Sequence, residues 1–226
     1  MPATSLADAT DPPRRRSGGE GTAERILDAA EQLFAERGYA GATLRDVAKR
    51  VGVRPPSLYN HFASKDALYA AVLERGIGPV IDLLARSAAA PADQPSDPGR
   101  LVSDVMAILA RRPGLPRLVQ HETLAGGQRL TPMLRSWIVP AFERARQLVA
   151  AGPAAGRWNA EQIPLLVLAM YHVVVGYFTF ASFYRDLGGQ ELLGDAALEA
   201  QTRFLRELVG RLFGAGEDPA LPRGIS

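Results

Sequence analysis

Apolar side chains recur at three- and four-residue steps along most of this chain, the period of helices that bury one face. From Thr22 the residues Ile26, Leu27, Ala30, Leu33 and Phe34 keep that spacing, and Gly38, following Arg37, predicts the end of the helix. Thr43 with Asp46 three positions on predicts a capped second helix, a short one. Ser64 offers the same start to a helix through Leu68, Val72 and Leu73. The stretch PADQPSDPG at 91–99 predicts a loop between helices around 79–90 and 100–112, and further helices are expected at 115–125 and 131–151. Asn159 with Gln162 resembles a capping pair for a long helix to about residue 187, and a final amphipathic helix is expected over 195–213. No hairpin dipeptide sits between alternating apolar runs, and no strand–helix alternation repeats. The predicted fold class is all-α.

Residues 163–184 hold no Asp, Glu, Lys or Arg over 22 positions, long enough for a membrane span. Against that reading, His172, Thr179 and Ser182 interrupt the run, and Glu161 and Arg185 flank it without a one-sided positive cluster. A helix covered on all faces, by its own core and a partner subunit, carries the same signature and is the expectation here. Gly176 would then allow close helix approach.

Composition narrows the chemistry. The 226 residues are 47% hydrophobic and 22% charged, an ordinary folded composition with a net charge of only +2. With no cysteine there are no disulfides or thiolate metal sites, and His61, His121 and His172 are too dispersed for a metal motif. Neither a phosphate-cradling glycine loop nor a nucleophile elbow is present, so no metal, cofactor or enzymatic activity is expected. The first twenty residues lack the apolar core of a secretory signal, and a cytoplasmic location is expected.

Residues 44–63, LRDVAKRVGVRPPSLYNHFA, have the pattern of a helix-turn-helix. Ala48 falls where two helices cross, and Gly52 falls where the turn needs positive φ. Val47, Val51, Val53 and Leu58 supply the apolar contacts that set the angle. Pro55 and Pro56 lack N–H donors and fit only the first turn of the second helix.

With TAERILDAAEQLFAERGYAGATLRDVAKRVGV before it and SLYNHFASKDALYAAVLE after it, residues 22–75 resemble the N-terminal domain of the TetR family of transcriptional regulators. The resemblance implies a three-helix DNA-binding head, a helical body that binds a small effector, and a homodimer on an inverted-repeat operator. Carried over by position, Thr43 would cap the second helix and touch a phosphate, and Arg45 joins the DNA-binding set. Arg54, Pro55, Pro56 and Ser57 would form the tip facing base edges, with Arg54 the best guanine reader. Tyr59, His61 and Lys65 would hold phosphates. The family often carries Ser or Thr where Arg54 stands. Residues 14–75 hold 11 basic and 8 acidic side chains, so the excess sits on this head, and Arg14, Arg15 and Arg16 offer a minor-groove arm.

The expected division is a basic tail at 1–20, the head at 21–78, an effector-binding and dimerisation body at 79–213, and a flexible tail at 214–226. Leu198, Phe204, Leu205, Leu208, Leu212 and Phe213 would pair with the long helix in a four-helix dimer interface. Polar-tipped and aromatic groups within apolar helices, Arg117, His121, Glu122, Trp137, Tyr171, His172 and Tyr177, are the ligand candidates, which favours a hydrophobic or aromatic effector. Two readings compete with a ligand-released repressor. One is an α-helical carrier or enzyme whose head no longer reads DNA; the other is a membrane-tethered DNA-binding protein.

Overall fold

A computed structural model describes residues 17–90, 97–132, 134, 135, 143, 146, 157–159 and 161–213, with side chains from residue 21. Every regular element among them is helical. In order these are α1 (Ser17–Gly41), α2 (Leu44–Val51), α3 (Pro55–Tyr59), α4 (Lys65–Ala88), α5 (Pro98–Ala110), α6 (Leu115–Leu124), α7 (Gln162–Asp186) and α8 (Asp195–Phe213). Arg14–Arg16, Trp137 and most of the helix expected at 131–151 lie outside the described residues.

The caps explain most boundaries. Thr43 and Asp46 form a reciprocal capping box at α2, and Ser64 Oγ accepts from the Ala67 N–H at α4. Asn159 Oδ1 accepts from the Gln162 N–H at 2.9 Å while Gln162 Oε1 accepts from the Asn159 N–H, the reciprocal pair expected before the long helix. Gly38 breaks the path of α1 at φ 66° and ψ 177°, and a further turn over 39–41 follows the break.

One expectation needs correction. Pro79 does not begin a helix; it lies inside a continuous α4. A proline there costs about 3 kcal/mol in an isolated helix. Burial of Leu73 and Ile77, with Val80 and Ile81 packed on the same core, outweighs that break. The long helix α7 is buried on one side, and its other side is the one the expectation assigned to a partner subunit. Ile163, Val174, Phe178 and Ala181 are buried, whereas Leu165, Leu168, Phe180, Phe183 and Tyr184 are exposed. Among the described residues, a Cβ at Gly176 would meet nothing within 4 Å, so none of them uses that glycine for a close approach.

Packing joins head and body through one core. α1 lies against α2, α4 and α6; α4 meets α5; α6 meets α7; and α5 pairs with α8. Ile26, Leu33 and Phe34 of α1 belong to the same buried cluster as Leu115 and Leu118 of α6, Phe178 of α7 and Leu205 of α8. At Gly76 of α4 a Cβ would stand 2.5 Å from Leu115 Cδ1, so the Leu115 side chain packs directly on the bare backbone there.

Candidate nucleic-acid interface and body clefts

The turn between α2 and α3 is built from short-range chemistry. Gly52 adopts φ 77° and ψ 30°, and its N–H donates to the Ala48 and Lys49 carbonyls, ending α2. Val53 N–H adds a second bond to the Ala48 carbonyl. Val47, Ala48, Val51 and Leu58 are buried, which fixes α3 against α2. Pro55 and Pro56 occupy the first turn of α3, where missing N–H groups forfeit nothing, and Arg54 stands at its N-cap with its side chain free of any capping bond.

The outer surface of this motif is what sequence reasoning placed on DNA. Thr43, Arg45, Arg54, Pro55, Pro56 and Tyr59 are exposed, and Ser57, His61 and Lys65 are half-buried. Tyr59 stands 54% exposed on a helix whose Leu58 is fully buried, so the short α3 separates an inward and an outward face within one step. Thr43 Oγ1 donates to Asp46 Oδ2 at 2.6 Å and also accepts from the Asp46 N–H, so its hydroxyl is committed to the cap. That bond, with the Thr43 N–H, holds the Asp46 carboxyl below its ordinary range.

Ion pairing sorts the arginines and lysines of the head. Arg50 binds Glu36 through two contacts of 3.0 and 3.3 Å, and Arg37 approaches Asp46 at 3.8 Å. Arg75 is locked among Glu24, Asp28 and Glu31 at 2.9–3.0 Å. Among the described residues, Arg45, Lys49, Arg54 and Lys65 have no carboxylate at ion-pair distance, which leaves these cations for an external anion. Lys49 was not singled out from sequence; nothing in its spacing separates it from the neutralised Arg50.

The body carries two adjoining open clefts. One, about 540 Å³, is lined by Val173, Gly176, Tyr177, Phe180 and Phe183 of α7 with Gln120 and Leu192. The other, about 410 Å³, is lined by Arg117, His121 and Leu124 of α6 with Thr179, Ser182 and Asp186 of α7. Of the sequence-selected ligand candidates, Arg117, His121 and Tyr177 line these clefts. Arg117 donates to Ser182 Oγ, and the Tyr177 hydroxyl donates to the Leu192 carbonyl. Tyr171 and His172 meet edge to face away from both clefts, His172 Nδ1 lying 2.8 Å from the Leu168 carbonyl on its own helix. Gln120, Phe180 and Phe183, which line the clefts, were not distinguishable in sequence from ordinary helix-face residues.

Glu122 points about 100° around α6 from its neighbour His121. It is 1% exposed, accepting the Tyr69 hydroxyl at 3.0 Å and the Arg129 backbone N–H at 2.7 Å. Burial, reinforced by that carboxylate, pushes the Tyr69 hydroxyl well above its ordinary range. The divergence of about 100° between adjacent helical side chains accounts for the difference: Glu122 is buried against Tyr69 and Arg129, while His121 lines the cleft and lies beside Gly38 at the end of α1.

Comparison with known proteins agrees with this geometry. Residues 26–72 match the family described as bacterial regulatory proteins, tetR family. An HTH-type transcriptional repressor of Mycobacterium tuberculosis is 44% identical over 85 residues, which cover 38% of this chain and 44% of that protein. The HTH-type transcriptional activator FasR of Mycolicibacterium smegmatis is 47% identical over 53 residues, 24% of each chain. The matched stretch therefore spans less than half of these relatives, both of them named as regulators and not as enzymes. Over a longer span, a solved bacterial regulatory protein in the tetR family from Rhodococcus RHA1 shares the fold, with a TM-score of 0.65 at 20% identity across 87% of this chain and 98% of that one. The head of this chain, residues 26–72, thus carries the match to the tetR family of bacterial regulatory proteins, and the chain as a whole shares the fold of a solved regulator of that family.

Proposed function

We propose that two copies of this chain bind an inverted-repeat operator through their helix-turn-helix heads and repress transcription until a small hydrophobic or aromatic effector enters the body. The observation that carries the reading is the tip of α3. Arg54, Pro55, Pro56 and Tyr59 stand exposed on a frame whose inner face, Val47, Ala48, Val51 and Leu58, is closed. A rigid frame presenting uncommitted cations suits a major groove, where phosphate contacts set register and Arg54 reads base edges. Arg45, Tyr59, His61 and Lys65 are the phosphate-side residues of this proposal, with Ser57 beside Arg54, while Thr43 commits its donors to the cap of α2.

The uncovered face of α7 supports a homodimer. Leu165, Leu168, Phe180, Phe183, Tyr184 and Phe204 form an apolar exposure on α7 and α8 that a two-fold partner would bury. α7 is also long and apolar enough to cross a membrane by length and composition, with a mean hydropathy of 1.9. A DNA-reading head favours pairing in the cytoplasm over insertion. The clefts lined by Tyr177, Phe180 and Phe183 are the proposed effector sites, the mixed lining of Arg117 and His121 supplying polar anchors.

Release follows as a population shift. Effector binding favours a state whose heads no longer fit successive major grooves about 34–36 Å apart. Selection of genomic fragments by the purified protein, at stated salt, tests the reading. Enrichment of one inverted repeat supports it; no enrichment by folded, dimeric protein rejects it in favour of a carrier or enzyme.

A further inference from the structure

Arg129 lies outside the helix-turn-helix, 63 residues after Asp66, yet it is fastened to the head. Its guanidinium carbon sits 3.6 Å from the Tyr39 ring centroid, and its Nε is 3.2 Å from Asp66 Oδ1. Tyr39 Oη donates to the same Asp66 oxygen at 2.9 Å, and Lys65 Nζ lies 4.2 Å from the same ring. Tyr39 belongs to the turn after Gly38, and Asp66 to the first turn of α4. Arg129 therefore grips both the end of α1 and the start of α4, beside the lysine placed on DNA. Although burial opposes its charge, the bonds to Asp66 and Tyr39 raise its pKa above the ordinary arginine value.

The other end of the grip is anchored in the body. The Arg129 backbone N–H donates to Glu122 Oε1, and Glu122 Oε2 accepts from Tyr69 of α4. A fully buried carboxylate thus fixes where the Arg129 backbone stands, and Arg129 in turn fixes Tyr39 and Asp66. Arg117, Gln120 and His121 of the same α6 line a body cleft.

We propose that Arg129 is a positioning residue for DNA binding: a body-borne clasp that holds the α1 end and α4 start in the orientation that presents Lys65 to a phosphate. The proposal rests on the DNA-binding reading above. Arg129 does not itself contact DNA; it reduces the freedom the head would otherwise lose on binding.

Two measurements on the full chain test this. The first is affinity, across a salt series, for a duplex recovered by genomic selection. Arg129→Ala keeps the backbone N–H to Glu122 and is expected to weaken binding roughly tenfold, the product of a lost cation–π contact and a lost ion pair in each head. The salt slope stays that of the native protein, whereas Lys65→Ala lowers it by about two, roughly one for each head of the dimer. A slope lowered by Arg129→Ala would make Arg129 a phosphate contact and overturn the proposal, as would unchanged affinity.

The second measurement needs no DNA. The chain has no native cysteine, so spin labels at Ala63→Cys and Ala107→Cys, both exposed positions, report one head–body distance in protein diluted with unlabelled chain. Arg129→Ala, and separately Arg129→Gln, should broaden a narrow distance distribution. Equal widths in all three proteins overturn the clasp. If the native protein enriches no duplex, the DNA-binding reading fails while the distance widths still decide whether the clasp exists.

Discussion

Arg25 crosses the head to bind the carbonyl of Val51, its Nη2 donating at 2.7 Å over a separation of 26 residues. Val51 is the last residue of α2, where helical carbonyls lack intrahelical partners and the helix dipole favours a cation. α1 therefore closes the end of α2 directly before Gly52 turns the chain toward α3. Arg25→Ala should cost about 1.5–3 kcal/mol in denaturant unfolding, the range for a hydrogen bond with a charged partner. An unchanged unfolding midpoint would show that solvent replaces this bond fully.

The buried carboxylate of Glu122 makes a sharper prediction. Glu122→Ala leaves the Tyr69 hydroxyl and the Arg129 N–H without their acceptor in a site closed to water, at an expected cost of about 3 kcal/mol. Tyr69→Phe removes only one donor and should cost about 1–2 kcal/mol. Unfolding curves for the double variant should show non-additivity, because both changes break one bond.

Acid should loosen the head. The Tyr39 hydroxyl and then Arg129 hold the Asp66 carboxyl below its ordinary value of 3.8, so the unfolded chain takes up that proton first on acidification. The stabilisation from Asp66 is therefore fully present above about pH 4 and is lost as pH falls through its lowered folded value. Asp46, held low by Thr43, adds a parallel effect at the start of α2. Unfolding free energies between about pH 2.5 and 6 should fall less steeply for Asp66→Asn than for the native protein.

Base reading and phosphate holding separate by substitution. Arg54→Ala is expected to relax preference at one or two operator positions, worth about 1–3 kcal/mol of discrimination. Tyr59→Phe is expected to weaken all sequences alike. Binding of a selected duplex and its single-base variants distinguishes the two patterns, and the reverse outcome would exchange the roles.

The exposed face of α7 predicts an association state. Phe183→Glu places a charge where a partner would bury an aromatic ring and should convert dimer to monomer in sedimentation, with helicity retained. A native protein already monomeric at micromolar concentration would reject the dimer.

Sequence by itself determined the head. The capping box at Thr43 and Asp46, the left-handed Gly52 and the prolines opening α3 act between residues at most four positions apart, so their spacing carries their geometry. Helical periodicity likewise placed α5, α6, α7 and α8 to within a turn. Pro79 misled because local propensity marks a break there, while burial of Ile77 on the body core lies beyond any local window. The tertiary structure alone decided which way Glu122 and His121 face, which cations of the head are neutralised, and that Arg129 grips Tyr39 and Asp66. Those relationships join residues 9 to 90 positions apart, such as Arg37 with Asp46 and Arg129 with Tyr39, and no periodicity of a single helix encodes them. They arise only when helices cross, because a long polar side chain finds its partner by proximity after the apolar faces have packed.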